Sequence, residues 1–138
     1  MNQACKPRIL VVDDDAIIVE LLSMVLDRAG YEVLTAGDGV QAISILQSTL
    51  PDQSIDILMV DLMMPVMDGL RFMRWLRTEL KCSLPVLALT GMSKPSEVQA
   101  AIQAGADAVL NKPIEPRLII EKLTELLDHK CAGSSDFV

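Results

Sequence analysis

An α/β fold built on a parallel sheet is what this sequence predicts, and three observations predict it. Short apolar runs alternate with longer stretches of helical spacing, five of each. The runs are continuous in Val, Ile and Leu, as in strands that are covered on both faces. The length of 138 residues suits one domain with one sizeable core, and no stretch is left over for a second.

Each element has its own signals. The first run is Arg8 to Val12. Ile17, Ile18, Leu21, Leu22, Val25 and Leu26 follow at three- and four-residue steps, with Gly30 as the helix C-cap. The second run is Glu32 to Ala36. The next helix is read from Gly39 to Leu50, with Val40, Ile43, Leu46 and Leu50 on one side. Asp38 is its N-cap, and Pro51 lies beyond its end. The third run, Ile55 to Val60, precedes a helix over Leu70 to Leu80 that carries Leu70, Met73, Leu76 and Leu80. The fourth, Pro85 to Leu89, precedes a helix over Ser96 to Ala104. Val98, Ala101 and Ile102 are read as its inner face, and Gly105 follows it. The fifth, Asp107 to Leu110, precedes a helix over Glu115 to Asp128. The reading is a folded domain over residues 6–129 and a flexible tail over 130–138.

Composition narrows the functions. Hydrophobic residues are 51% and charged residues 22%, an ordinary globular balance, and net charge is −7. That charge disfavours nucleic acid and anionic membrane as direct partners of this surface. No signal peptide and no membrane-length apolar span is visible. Cys5, Cys82 and Cys131 form no metal or redox pattern, which reads as reduced thiols in the cytoplasm. His129 is the one histidine, so a multi-histidine metal site is excluded, and a Ser-His-Asp triad is disfavoured by its place near the chain end.

Chemistry is concentrated at the carboxyl ends of the strands, where open parallel sheets bind ligands. In DILMVDLMMPVMDG, Asp56 to Gly69, an aspartate closes an apolar strand. An ionised carboxylate there is costly unless it is paired or metal-bound. The first strand ends in Asp13, Asp14 and Asp15, the third in Asp61, the fourth in Thr90 and the fifth in Asn111-Lys112-Pro113. Asp15 and Asp38 are explained by helix capping alone. Asp13, Asp14 and Asp61 would crowd like charges, which a hard cation such as Mg²⁺ relieves. Relief of that repulsion also predicts that Asp13→Ala and Asp14→Ala leave the metal-free protein at least as stable. Thr90 and Lys112 are the right types to hold a phosphoryl group, and a carboxylate nucleophile that accepts phosphate is established chemistry.

ILVVDDD, ILMVDLMMPVMDG, VLALTG and GADAVLNKP, in this order and spacing, resemble the receiver domain of two-component response regulators, of the stand-alone chemotaxis type. The resemblance covers about Arg8 to Asp128. It implies a flavodoxin-like, doubly wound five-stranded parallel sheet, strand order 2-1-3-4-5, with five helices. It also implies that Asp61 is the phospho-acceptor. Asp14 would be the direct Mg²⁺ ligand, Asp13 would act mainly through water, and the Met63 backbone carbonyl would add a ligand. Thr90 would be the switch hydroxyl, Lys112 the phosphate partner, Pro113 the residue after a cis peptide bond, and Gly69 the tight backbone after the acceptor loop. Met63 and Met92 would tune water access, or else only fill space. Many receivers carry Tyr or Phe three residues before the lysine. This chain has Val109 there, so an aromatic flip on the fifth strand is not available.

The function so implied is a switch rather than an enzyme, limited to self-phosphorylation from donors and slow autodephosphorylation. Its partners would be a sensor histidine kinase or histidine phosphotransfer protein and a downstream protein target. The chain ends at Val138, which reads as stand-alone. A phosphorelay intermediate would share the site, and the polar end AGSSDF would suit the linker of a longer regulator. An aspartyl-phosphate hydrolase is disfavoured by Met63, where a second carboxylate would be needed. A flavin module is disfavoured by three aspartates where its phosphate loop would lie. Leu118 and Ile120 fall off the apolar stripe of the fifth helix, Ile119, Leu123 and Leu126 or Leu127. Beside Ala100 and Ala104 of the fourth helix, they predict a face that binds a target helix or a second copy, more tightly after phosphorylation.

Overall fold

The computed structural model describes residues 6–48, 55–62, 68–91, 95–112 and 115–135. The elements are β1 (Arg8–Val12), α1 (Ala16–Arg28), β2 (Glu32–Ala36), α2 (Gly39–Ser48), β3 (Ile57–Asp61), α3 (Gly69–Thr78), β4 (Val86–Thr90), α4 (Pro95–Ala104), β5 (Ala108–Asn111) and α5 (Pro116–Ser135). The strands form one parallel sheet in the order β2-β1-β3-β4-β5. The register places Val12 opposite Val60, Asp61 opposite Leu89 and Thr90 opposite Asn111.

Period-two alternation divides the core into two layers. Ile9, Val11, Ile57, Met59, Leu87 and Leu89 meet Leu22 and Leu26 of α1 and Ile119 and Leu123 of α5. Leu10, Val12, Leu58, Val60, Val86 and Ala88 meet Ala42 of α2, Phe72, Met73 and Leu76 of α3, and Ala101 and Ala104 of α4. The N-caps fall where the sequence puts them. Asp15 Oδ1 accepts from the N–H groups of Ile17 and Ile18, and Asp38 Oδ1 from that of Gln41. The C-cap of α1 is Ala29, one residue before the expected Gly30, which follows it in the left-handed conformation at φ +97°.

The last three strands end one residue later than their apolar runs, because Asp61, Thr90 and Asn111 still pair in the ladder. Pairing is set by the neighbouring strand, not by hydropathy. Helix α5 runs to Ser135, so 130–135, read as tail, are helical; 136–138 lie outside the described residues. No Pro interrupts this stretch, and a helix can outrun its apolar face.

Several inner faces differ from the spacing. Ile17 and Leu21 of α1 and Val40 of α2 are exposed, as is Met24, which the spacing did not place inward. On α4 the inward residues are the small Ala101 and Ala104, and Ile102 is 47% exposed. Alanines let that helix approach the sheet closely, which turns the larger side chain outward. On α5, Leu118 is 41% exposed, whereas Ile120 packs against the core with Leu126 and Leu127. Moreover, α5 shares its layer with α1, while α4 lies with α3 on the other face, so α5 adds no apolar surface directly beside α4.

Tyr31 joins β2 to α5. It is buried, and its hydroxyl pairs with the Thr124 side chain. Burial pushes its pKa up; nearby Asp128 adds to the rise, and the Thr124 hydrogen bond opposes it. A folded-state pKa above the unfolded value gives a stability contribution that is complete below about pH 10 and fades as pH climbs through the folded value. Tyr31→Phe should therefore lose part of the parent's alkaline destabilisation, read as urea midpoints from pH 8 to 11.

Candidate functional site

Lateral pairing builds the site. Val12 stands opposite Val60, so the next residues, Asp13 and Asp61, lie side by side. Asp13 and Asp61 share strand parity with the side chains facing α1 and α5. Lys112, just past β5, follows the same parity. The three meet: Lys112 Nζ lies 3.5 Å from Asp13 Oδ2 and 3.4 Å from Asp61 Oδ2. Asp14 is exposed, yet one carboxylate oxygen each from Asp13, Asp14 and Asp61 lie within 4.8 Å of one another. Thr90 has the opposite parity, that of Val86 and Ala88, which face the α3 and α4 layer.

The acidic pair is held differently at its two members. Asp13 is 2% exposed; its Oδ1 accepts from the Asp15 N–H at 2.9 Å and its Oδ2 from Lys112. Its own N–H donates to the Ala36 carbonyl. Asp13→Ala would therefore remove made hydrogen bonds, and the expected neutrality of that change to the metal-free protein is not supported. For Asp14, which is exposed, the prediction stands as an expected result, read as the denaturant midpoint of metal-free Asp14→Ala. The backbone contribution of Asp15 escaped the sequence reading. Its signal is the Asp-x-Asp spacing, since an aspartate readily accepts from the N–H two residues on.

The backbone after Asp61 is cramped. A Cβ at Gly69 would stand 2.6 Å from the Asp61 carbonyl oxygen and 2.8 Å from Leu62 Cα. Gly69 N–H donates to the Leu62 carbonyl, and Asp68 caps α3 by accepting from Arg71 N–H. Gly69→Ala should cost about 2–3 kcal/mol in chemical denaturation, since backbone must move on both sides. Gly91→Ala, with nothing within 4 Å, is the control and should cost far less.

Asp13, Asp14, Asp61 and Lys112 are thus brought together, and Thr90 stands buried at the same sheet edge, with its carbonyl accepting from Lys112 N–H at 2.8 Å. Met63, Met92 and Pro113 lie outside the described residues. The aspartates at the opposite edge do structural work: Asp56 Oδ2 accepts from Arg8 N–H and Asp107 Oδ2 from Val86 N–H.

The arrangement is a five-stranded parallel α/β sheet with, at one edge, a lysine and an acidic cluster that could hold a metal ion. The sequence matches the model of the response regulator receiver domain over residues 9–124, and the chain belongs to this family. Among solved structures, it resembles the chemotaxis protein CheY4 of Vibrio cholerae at 33% identity and TM-score 0.81, over 89% of this chain and all of the other. A CheY-like receiver domain protein of Methanospirillum hungatei gives TM-score 0.84 at 27% identity, over 94% and 99%. Among curated relatives, response regulator MprA of Mycobacterium avium is 42% identical over 87% of this chain. The DNA-binding response regulator MtrA of Mycobacterium tuberculosis is 34% identical over 86%. The chain spans about half the length of these curated relatives, 50% and 49%. The expected absence of a nucleic-acid partner is withdrawn, because relatives that this chain half spans are named as DNA-binding. Among the described residues, no helix is long and apolar enough to cross a membrane.

Proposed function

We propose that this chain is a phospho-accepting switch that takes a phosphoryl group onto Asp61 from a phosphohistidine donor. The observation that carries the reading is the convergence of three carboxylates and one ammonium at the carboxyl edge of the sheet. Mg²⁺ suits this donor set: hard oxygen ligands, an exposed Asp14 to reach it, and charge to offset. Asp14 would be the direct ligand, with Asp61, the Met63 carbonyl and, through water, Asp13. When bound, the ion neutralises phosphoryl oxygens as charge shifts in transfer.

The chain's own residues do the rest. An Asp61 carboxylate oxygen attacks phosphorus in line; the new O–P bond forms as the N–P bond to the donor imidazole breaks, and that nitrogen keeps the electron pair. Lys112, already 3.4 Å from Asp61, pairs with the phosphoryl oxygens. Thr90 turns toward the new charge. Its parity faces the α4 layer, so the α4–β5–α5 surface reads the state. With Val109 on β5, no aromatic takes part. Water later hydrolyses the acyl phosphate, and no other catalysis is assigned.

The donor must approach this edge. Ile17, Leu21 and Met24 form an exposed apolar stripe on α1 that begins beside Asp13 to Asp15, a surface suited to the helices of a histidine kinase or phosphotransfer protein in the cytoplasm. The output is a protein target or a second copy, through exposed Leu118 rather than the half-buried Ile120. A relay role would use the same site. The half-length match to DNA-binding regulators favours, as a second reading, the receiver part of a longer regulator.

The test is incubation with a small acyl-phosphate donor, with and without Mg²⁺, followed by intact mass and peptide mapping. One phosphoryl group on Asp61, only with Mg²⁺, is expected; stable labelling elsewhere would overturn the reading. Asp14→Ala should raise the Mg²⁺ concentration for half-maximal uptake more than Asp13→Ala does.

A further inference from the structure

At the sheet edge opposite Asp61, one side chain ties three segments together. Arg77, in the last turn of α3, donates through Nη1 to the carbonyls of Cys82 at 2.9 Å and Leu84 at 2.7 Å, in the link before β4. Through Nε at 3.2 Å and Nη2 at 2.6 Å it donates to the Gly105 carbonyl, in the link between α4 and β5. Its Nη2 also meets Asp107 Oδ2 at 3.1 Å, and that same oxygen accepts from Val86 N–H. The planar fork of the guanidinium suits this many acceptors in fixed directions, which a lysine ammonium does not.

The link is shaped around it. Gly105 sits at φ +124°, and a Cβ there would lie 2.7 Å from Arg77 Cγ. The Gly105 and Ala106 N–H groups return to the Ala101 carbonyl and close the end of α4. Ala101 and Ala104 are buried against the sheet. The first turn of α4 is held otherwise: Pro95 and Ser96 are exposed and Glu97 and Val98 only half-buried. That end follows Thr90 and Gly91 in the chain, at the edge of the sheet where the switch acts.

We propose that Arg77 is the pivot of α4. It fixes the helix's last turn to the starts of β4 and β5, so that rearrangement at Thr90 swings the first turns of α4 while Ala104 to Asp107 stay in place. This rests on the reading of Asp61 as phospho-acceptor. Arg77 acts through α4 and is a positioning residue, some five strand residues, about 16 Å, from the chemistry.

The experiment is amide NMR with hydrogen exchange on the parent, Arg77→Gln, Arg77→Lys and Asp107→Asn, at rest and with Mg²⁺ and beryllofluoride. In the parent, beryllofluoride should shift α4 amides over residues 96–100 and leave 104–107 nearly unmoved. In Arg77→Gln at rest, exchange at Gly105 and Ala106 should rise about tenfold or more, while β1 and β3 keep their protection. Beryllofluoride should then move 104–107 as well, and Arg77→Lys should restore the split only in part. Asp107→Asn, which keeps an acceptor for Val86 N–H, reports if Arg77→Gln fails to fold, and should show the same change more weakly. Even displacement along α4 in the parent, or unchanged exchange at Gly105 and Ala106 in both Arg77→Gln and Asp107→Asn, would overturn the pivot. If beryllofluoride moves no resonance at Asp13, Asp61 or Thr90, the phospho-acceptor reading fails and the pivot, as a response to phosphorylation, fails with it; the exchange arm then still decides whether the clamp holds α4.

Discussion

Asp61→Asn should take up no phosphoryl group from a small acyl-phosphate donor under conditions expected to label the parent fully. An amide nitrogen or oxygen is a poor nucleophile beside a carboxylate. Asp13 already spends Oδ1 on Asp15 N–H and Oδ2 on Lys112, and Asp14 is exposed rather than held against the lysine. The loss should be complete by intact mass. The fold should remain, with a denaturant midpoint at or above the parent's, because one of three crowded charges is gone. A labelled Asp61→Asn protein would place the acceptor elsewhere.

Lys112→Ala should be the most damaging of the charge removals at this site to the metal-free protein. Lys112 Nζ faces both Asp13 and Asp61, and its removal leaves two buried carboxylates without the cation that they share. Breaking a buried pair costs about 3–5 kcal/mol, and the partial exposure of Lys112 brings the expected loss to about 1–3 kcal/mol. Added Mg²⁺ should recover much of it, since an ion bound only by the folded state stabilises that state by mass action. Some phosphorylation should persist, because Asp61 and the acidic pair remain. The resonances of α4 and β5 should no longer respond to beryllofluoride, because the cation that draws the phosphoryl group toward β5 is missing. A parent-like response in those elements would contradict the role given to Lys112.

The strands were legible because they are short, apolar and bounded by charged or turn residues. Asp61, Thr90 and Lys112 could be singled out because each stands as a polar exception at the end of such a run. Helix faces were less legible. In α4 and α5 apolar residues occur on more than one side, so spacing alone could not choose between Ala101 and Ile102, or between Leu118 and Ile120. The choice needs the distance and tilt of the helix on the sheet.

By itself the sequence determined the element order, the caps at Asp15 and Asp38, the turn at Gly30 and the identity of the residues at each strand end. These are local properties: hydrogen bonds within a few residues, allowed backbone angles and the period of the apolar pattern. Tertiary structure alone decided that Asp13, Asp61 and Lys112 share a face while Thr90 looks toward α4, that α4 and α5 lie on opposite layers, and that Arg77 reaches Gly105 and Asp107. Those facts depend on the register of neighbouring strands, which brings together residues up to 99 positions apart in the chain. Register is fixed by pairing and by burial of both sheet faces together, which no local stretch of sequence encodes.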